Sequence, residues 1–155
     1  FPEDSKTGPF IFGKKENRQP TKGELEHARN FVNSIFKEFP SIKGEVFDVA
    51  VDLRPGSKTY GKWEGVILTE ENKKMFMIPR GFAHGFLVLS DEAEFAYKCD
   101  DIYNHEAEGG LKWNDPDVGI DWPMGDLKVE DLLTSEKDTK WPSLKELKET
   151  DLFAN

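Results

Sequence analysis

Histidine is scarce in this 155-residue chain: three occur, and one of them, His84, sits in the stretch PRGFAHGFLVLS, residues 79–90. A proline and two glycines punctuate the stretch, and an apolar run follows at once, as where a loop enters a buried strand. An imidazole in that setting has two readings. It is either a core-edge side chain whose ring nitrogens are satisfied by backbone groups, or a ligand or proton-handling group at the mouth of a β-barrel. Tyr97, in EFAYKC, is the second residue of interest. Strand parity puts Phe95, Tyr97 and Cys99 on one face, so the phenol is expected to look inward among apolar neighbours. An inward tyrosine hydroxyl needs a polar partner, and that partner can be structural or catalytic. Read from spacing alone, Glu108, Lys137 and Asp138 are ordinary surface charges, His27 is a solvated surface histidine, and His105 lies in a loop beside Glu106.

These residues need a scaffold, and most of the sequence reads as β. GEVFDVAVDL sets Phe47, Val49, Val51 and Leu53 against Val46, Asp48, Ala50 and Asp52, with the larger apolar groups on one face. Phe47, Val49 and Val51 are expected to face the interior. Arg54-Pro55-Gly56-Ser57 is a turn. WEGVILT, KMFMIP, HGFLVLS and EFAYKC follow as short strands, giving about five antiparallel strands over residues 44–99. Short strands at roughly ten-residue spacing indicate a sandwich or barrel. Beyond residue 100 the strand signal fades, and Trp113 and Trp122 are expected to pack a loop-rich segment onto the barrel.

Two helices flank the β region. Thr21 and Glu24 form a capping box ahead of Leu25, Ala28, Val32, Ile35, Phe36 and Phe39, which share one helical face over about residues 22–39 until Pro40 ends it. A short charged helix is expected near the C-terminal end, in SLKELKET. The chain divides accordingly into residues 1–42 and a β domain over 43–155.

Composition narrows the partners. The net charge of −9 argues against nucleic acid or an anionic membrane, both of which attract basic faces. It leaves room for an anionic small ligand, which answers to the field of its own pocket. Cys99 is the single cysteine, so no disulfide forms within the chain and a reducing compartment is expected. No apolar run reaches the ~20 residues that span a bilayer. FPEDSKTGPF is unlike a signal peptide, and a cytoplasmic protein is the expectation.

Four blocks carry a family likeness: GEVFDVAVDLRPGS, ENKKMFMIPRGFAHGFLVLSDEAEFAYKC, WNDPDVGIDWP and SEKD. In this order and spacing, from about residue 43 to about residue 141, the chain closely resembles the dTDP-4-dehydrorhamnose 3,5-epimerase family. The resemblance implies a mainly β, cupin-like jelly roll, a homodimer, and an isomerase that needs no cofactor. Its substrate would be a dTDP-linked 4-keto deoxysugar. A base removes the C3 and C5 protons, an enolate forms, and an acid returns a proton to the opposite face. In the family the base is a histidine held by an aspartate and the acid is a tyrosine. The matching catalytic residues are Tyr97 and Asp138. His84, Glu108 and Lys137 match positions that bind substrate.

The family also carries its base histidine in an RGLH-type strand and a substrate-binding lysine in a QGKL-type strand, both ahead of the GEVFDV strand. Residues 1–42 contain neither block. Loss of such a base removes typically ~10²–10⁴-fold of rate, so weak proton exchange or none is expected of this chain. The sequence therefore supports an epimerase reading and, beside it, a jelly roll that binds a nucleotide sugar without turning it over. PRGFAHG also resembles half of a cupin metal motif. A metal site of that type wants two or three histidines with a carboxylate, and only His84 lies on an expected barrel strand.

Overall fold

The computed structural model describes residues 12–13, 42–99 and 108–148. Its strands in chain order are β1 (Phe12–Gly13), β2 (Ile42–Lys43), β3 (Glu45–Asp52), β4 (Trp63–Thr69), β5 (Phe82–Val88), β6 (Glu94–Phe95) and β7 (Glu108–Gly109), followed by a 3₁₀ turn at Val129–Asp131. The expected helix over 22–39 lies outside the described residues. The expected C-terminal helix is corrected to a single turn within the described residues. Ser143 accepts backbone bonds from Glu146 and Leu147.

GEVFDVAVD forms the central strand because β-branched and aromatic residues alternate over its length. Strand β3 pairs antiparallel with β4 on one edge and β5 on the other, in the order β4-β3-β5. The register sets Phe47 between Ile67 and Leu87, and Ala50 between Glu64 and His84. Seven of its eight residues are buried, so both faces are covered.

As the alternation predicts, Phe47, Val49, Val51 and Leu53 share one buried face, joined there by Ala83, Leu87, Leu111 and Val118. Phe47 meets Trp63 and Trp122 edge-on, with ring centroids 6.5 and 5.9 Å away. A Cβ at Gly65 would lie 2.3 Å from the Phe47 ring, so a bare backbone is required for Phe47 to cross β4. This face is covered by the C-terminal segment, with Trp113 and Trp122 packed against it as expected. It lies opposite the face that carries His84, because Phe47 and His84 occupy positions of opposite parity in the paired strands.

Asp115 staples the cover together. Its carboxylate accepts the backbone N–H of Asp117 (2.7 Å), Val118 (3.2 Å) and Leu144 (2.7 Å). Trp63 Nε1 donates to the Gly119 carbonyl and Trp122 Nε1 to that of Trp113, at 3.2 and 2.9 Å.

Two expected strands are corrected. KMFMIP carries no ladder among the described residues. Asn72 Oδ1 accepts the backbone N–H of Thr69 and Lys74, and Asn72 Nδ2 donates to the Ile67 carbonyl, so a side chain takes up the groups that would begin the ladder. Met75 and Met77 are exposed while Phe76 packs against Val46 and Leu68, which preserves the alternation without the pairing. In EFAYKC the strand ends at Phe95, where its described partner β2 ends.

The Arg54–Ser57 turn forms as read, closed by a 3.1 Å bond from Ser57 N to Arg54 O. Buried Asp52 organises it. Oδ1 accepts Arg54 N and Nε at 3.0 and 2.9 Å, and Oδ2 accepts Arg54 Nη2, Ser57 Oγ and Thr59 Oγ1 at 2.7, 2.7 and 2.6 Å. Burial alone would raise the Asp52 pKa, but these donors overcome it and hold the carboxyl well below the usual range. The Arg54 guanidinium also lies over the Phe82 ring, 4.7 Å from its centroid.

The depressed Asp52 pKa fixes the sign of a pH effect. Its stabilisation is fully present above about pH 4, the unfolded value, and is lost as pH falls below that. Asp52→Ala leaves the partly exposed Arg54 cation and the Ser57 and Thr59 hydroxyls without their acceptor and is expected to cost about 1.5–3 kcal/mol. Urea unfolding at neutral pH and at pH 3 checks both points: the variant should show a smaller difference between the two pH values than the parent chain.

Candidate active site

The second face of the sheet is polar at its centre. Strand parity lines up Val46, Asp48 and Ala50 of β3 with Phe86 and His84 of β5. Asp48 stands opposite Phe86 and His84 opposite Ala50, so Asp48 and His84 are diagonal neighbours, within reach of side chains of this length. His84 Nε2 and Asp48 Oδ1 are 2.5 Å apart. Asp48 is only 3% exposed, and His84 is partly open. The bland reading of His84, with its ring nitrogens satisfied by backbone, is replaced by a bond to a buried carboxylate.

Aromatic rings wall this pair. Phe86 and Phe95 touch at 4.7 Å between centroids, and the His84 ring lies 6.5, 6.2 and 6.4 Å from Phe86, Phe95 and Tyr97. Tyr97 meets His84 nearly perpendicular, at 74°. The expectation that Tyr97 is buried on a strand is corrected. It lies beyond the end of β6, past the last described pair of that ladder, and is 51% exposed. One ring face touches the site while the residue keeps access to water.

Glu108 and Lys137 form a second group. Lys137 Nζ bonds both Glu108 oxygens, at 2.8 and 3.0 Å, and the Glu108 side chain is only 6% exposed. Glu108 opens β7, which pairs with β1, and β1 also touches β5, the strand of His84. Asp138 follows Lys137 and is buried. Its Oδ2 accepts Ser135 Oγ at 2.8 Å, while Oδ1 is buried with no hydrogen-bond partner among the described residues. A buried acceptor left in that state marks a place for a donor.

The five residues singled out by the sequence thus fall into two groups: Tyr97 with His84, and Glu108 with Lys137 and adjacent Asp138. Asp48 was missed. Its signal was an acid at the centre of a mostly apolar strand, but its partner depends on the β3–β5 register, which the sequence does not state. Among the described residues no group of three or more histidine, cysteine, aspartate or glutamate side chains is arranged to hold a metal ion. No helix among them is long and apolar enough to cross a membrane.

The mainly β fold is that of the cupin-like jelly-roll epimerases. An epimerase structure from Elizabethkingia anophelis NUHP1 superposes with a TM-score of 0.69 and 39% identity, over 90% of this chain and 66% of that one. Another, the Legionella pneumophila Philadelphia 1 dTDP-6-deoxy-D-glucose-3,5-epimerase in complex with dTDP-4-keto-L-rhamnose, gives a TM-score of 0.67 and 48% identity, over 74% of this chain and 60% of that one. The model of the dTDP-4-dehydrorhamnose 3,5-epimerase family matches residues 29–146, and the chain belongs to that family. The match begins ahead of the four blocks, inside the N-terminal segment. The Methanothermobacter thermautotrophicus enzyme of that name is 57% identical over 105 residues, 68% of this chain and 56% of the relative. The Escherichia coli K12 enzyme is 50% identical over 111 residues, 72% of this chain and 58% of the relative. The chain therefore spans a little over half the length of the curated relatives it matches.

Burial pushes the Tyr97 phenol above its ordinary value, and the charge of nearby Cys99 adds to the shift. The phenol consequently keeps its proton through the neutral range. The folded state holds that proton more firmly than the unfolded state, so its contribution to stability is full below about pH 10 and falls as pH rises beyond it. Cys99→Ser removes the second cause and is expected to lower the Tyr97 midpoint while leaving it above about 10. NMR titration of ring-labelled tyrosine reads the midpoint directly.

Proposed function

We propose that this chain acts on a dTDP-linked 4-keto deoxysugar, as a 3,5-epimerase that removes and returns protons beside the C4 carbonyl. Tyr97 is the acid that returns a proton to carbon. Asp138 presents its buried oxygen to a base, and His84, Glu108 and Lys137 bind the substrate. The observation that carries this reading is the near-perpendicular contact of Tyr97 with His84, against the wall of Phe86 and Phe95. A proton-bearing phenol beside an imidazole suits a carbon acid whose enolate needs both a donor and an acceptor. Residues 43–155 form the epimerase-like domain in this reading, and 1–42 a segment of separate character. A homodimer in the cytoplasm completes it. Exposed Met75 and Met77 offer apolar surface for association, and an exposed lone cysteine suits a reducing compartment.

A specific observation favours a second reading, a pocket that binds the nucleotide sugar without turnover. The chain lacks the RGLH-type and QGKL-type blocks, and Asp138 Oδ1 has no partner among the described residues. Incubation with the 4-keto sugar nucleotide in deuterated water separates the two. An epimerase washes deuterium into C3 and C5, more slowly than a chain with the missing base, and Tyr97→Phe depresses exchange far more than binding. A pocket alone shows binding without exchange, and Tyr97→Phe then weakens binding by only one hydrogen bond, ~0.5–1.5 kcal/mol.

A further inference from the structure

Tyr97 stands two residues beyond the last described pair of its strand, Ile42 with Phe95. An acid in that position needs a reason to stay aimed at one carbon. Parity puts Phe95 and Tyr97 on the same side of the chain, and their rings lie 6.0 Å apart at 41°. Phe95 also meets Phe86 at 4.7 Å and His84 at 6.2 Å, so it contacts every other ring of this group. Behind it, Phe86 and Phe95 pack against buried Val46 and Leu68, the apolar end of the same sheet face. The ladder holds the Phe95 backbone and this cluster holds its side chain, whereas Tyr97 is half exposed. Aromatic pairs favour offset and edge-on arrangements, so neighbouring rings restrict one another's direction. Two rings act on Tyr97 in this way, Phe95 and the His84 ring 6.4 Å away at 74°. Phe95 is the one tied into the apolar cluster.

We propose that Phe95 is a positioning residue that aims the Tyr97 hydroxyl at the face of the sugar where the proton is returned. The inference rests on the keto-sugar reading above, with Tyr97 as its acid and His84 as a substrate contact. In the step concerned, the electron pair of the enolate forms the new C–H bond with the Tyr97 proton, and the carbonyl reforms. The O–H bond of the phenol breaks, its pair stays on Oη, and the phenolate takes a proton from water. Removal of the first proton, from the other face, does not call on Tyr97. An enolate whose acid is misdirected is reprotonated from the face it left, by the base after exchange with solvent, and keeps its configuration. Phe95 accordingly governs inversion rather than exchange.

The test separates those two readouts. Phe95→Leu keeps apolar bulk against Val46 and Leu68 but removes the flat ring, and Phe95→Tyr keeps the ring. In deuterated water with the 4-keto sugar nucleotide, Phe95→Leu should cut inversion by about 10²-fold, the scale of a misplaced catalytic group. Deuterium wash-in should stay within a few fold, and Phe95→Tyr should keep both rates. Equal loss of exchange and inversion in Phe95→Leu, or loss of neither, would overturn the proposal. Proton NOEs between rings give a readout that needs no turnover, with Tyr97 assigned by its loss in Tyr97→Phe. The unaltered chain should show Tyr97 in contact with Phe95 and His84, and Phe95→Leu should lose the contact with His84. A Tyr97–His84 contact of unaltered strength in Phe95→Leu, or no Tyr97–Phe95 contact in the unaltered chain, would also overturn it. No binding, or binding without exchange, by the unaltered chain would remove the epimerase reading, and the ring contacts would then decide the part of Phe95 alone. Should Phe95→Leu not fold, Phe95→Met offers the same comparison with a more adaptable side chain.

Discussion

Strand β3 lies between β4 and β5, so its backbone is hydrogen-bonded on both edges and its side chains are covered on both faces. A strand in that position cannot spend one face on solvent, and the two-residue period then assigns its two faces to different tasks. The odd positions, Phe47, Val49 and Val51, anchor a dry core under the C-terminal segment. The even positions place Asp48 beside His84 and Asp52 at the head of the Arg54 turn. A slip of one residue in either ladder would move both acids into the apolar core, where no donor awaits them. The pairing of acids with donors therefore specifies the register that the apolar face also demands.

Much of this was legible in the sequence, because the features concerned are local. Alternation exposed β3, short apolar runs between polar punctuation exposed β4 and β5, and Pro55-Gly56 exposed the turn. The failures share one cause: they depend on what lies across a ladder. KMFMIP has the composition and the alternation of a strand, yet Asn72 diverts the backbone donors that would start its pairing. EFAYKC alternates as well, yet among the described residues its pairing ends at Phe95. Parity alone therefore buried Tyr97, whereas the structure leaves it half open. Asp48 illustrates the converse, since its chemistry appears only once Ala50 is set opposite His84. Glu108, Lys137 and Asp138 had no local signal at all, and the family blocks alone brought them forward.

The half-open position of Tyr97 is consistent with the work assigned to it. A phenol sealed in the core would hold its proton but could not replace it after giving it up. A fully solvated phenol would have no fixed relation to the reacting carbon. Tyr97 meets His84 nearly perpendicular and Phe95 at a tilt, and burial holds its pKa up, while its remaining surface meets water. His84 combines the same two properties, with a buried carboxylate on one nitrogen and partial exposure of the ring.

Two buried aspartates now stand in contrast. Asp48 has an imidazole bonded to it from the next strand, whereas Asp138 has satisfied one oxygen with Ser135 and keeps the other without a described partner. An acid that is fully paired supplies orientation; an acid with an oxygen to spare supplies a place for another group to be oriented. The family likeness puts a histidine beside the second, in a block this chain does not contain. What the chain's own described residues complete is the first. The same ladder that aligns Val49 with Gly85 brings Asp48 beside the His84 ring.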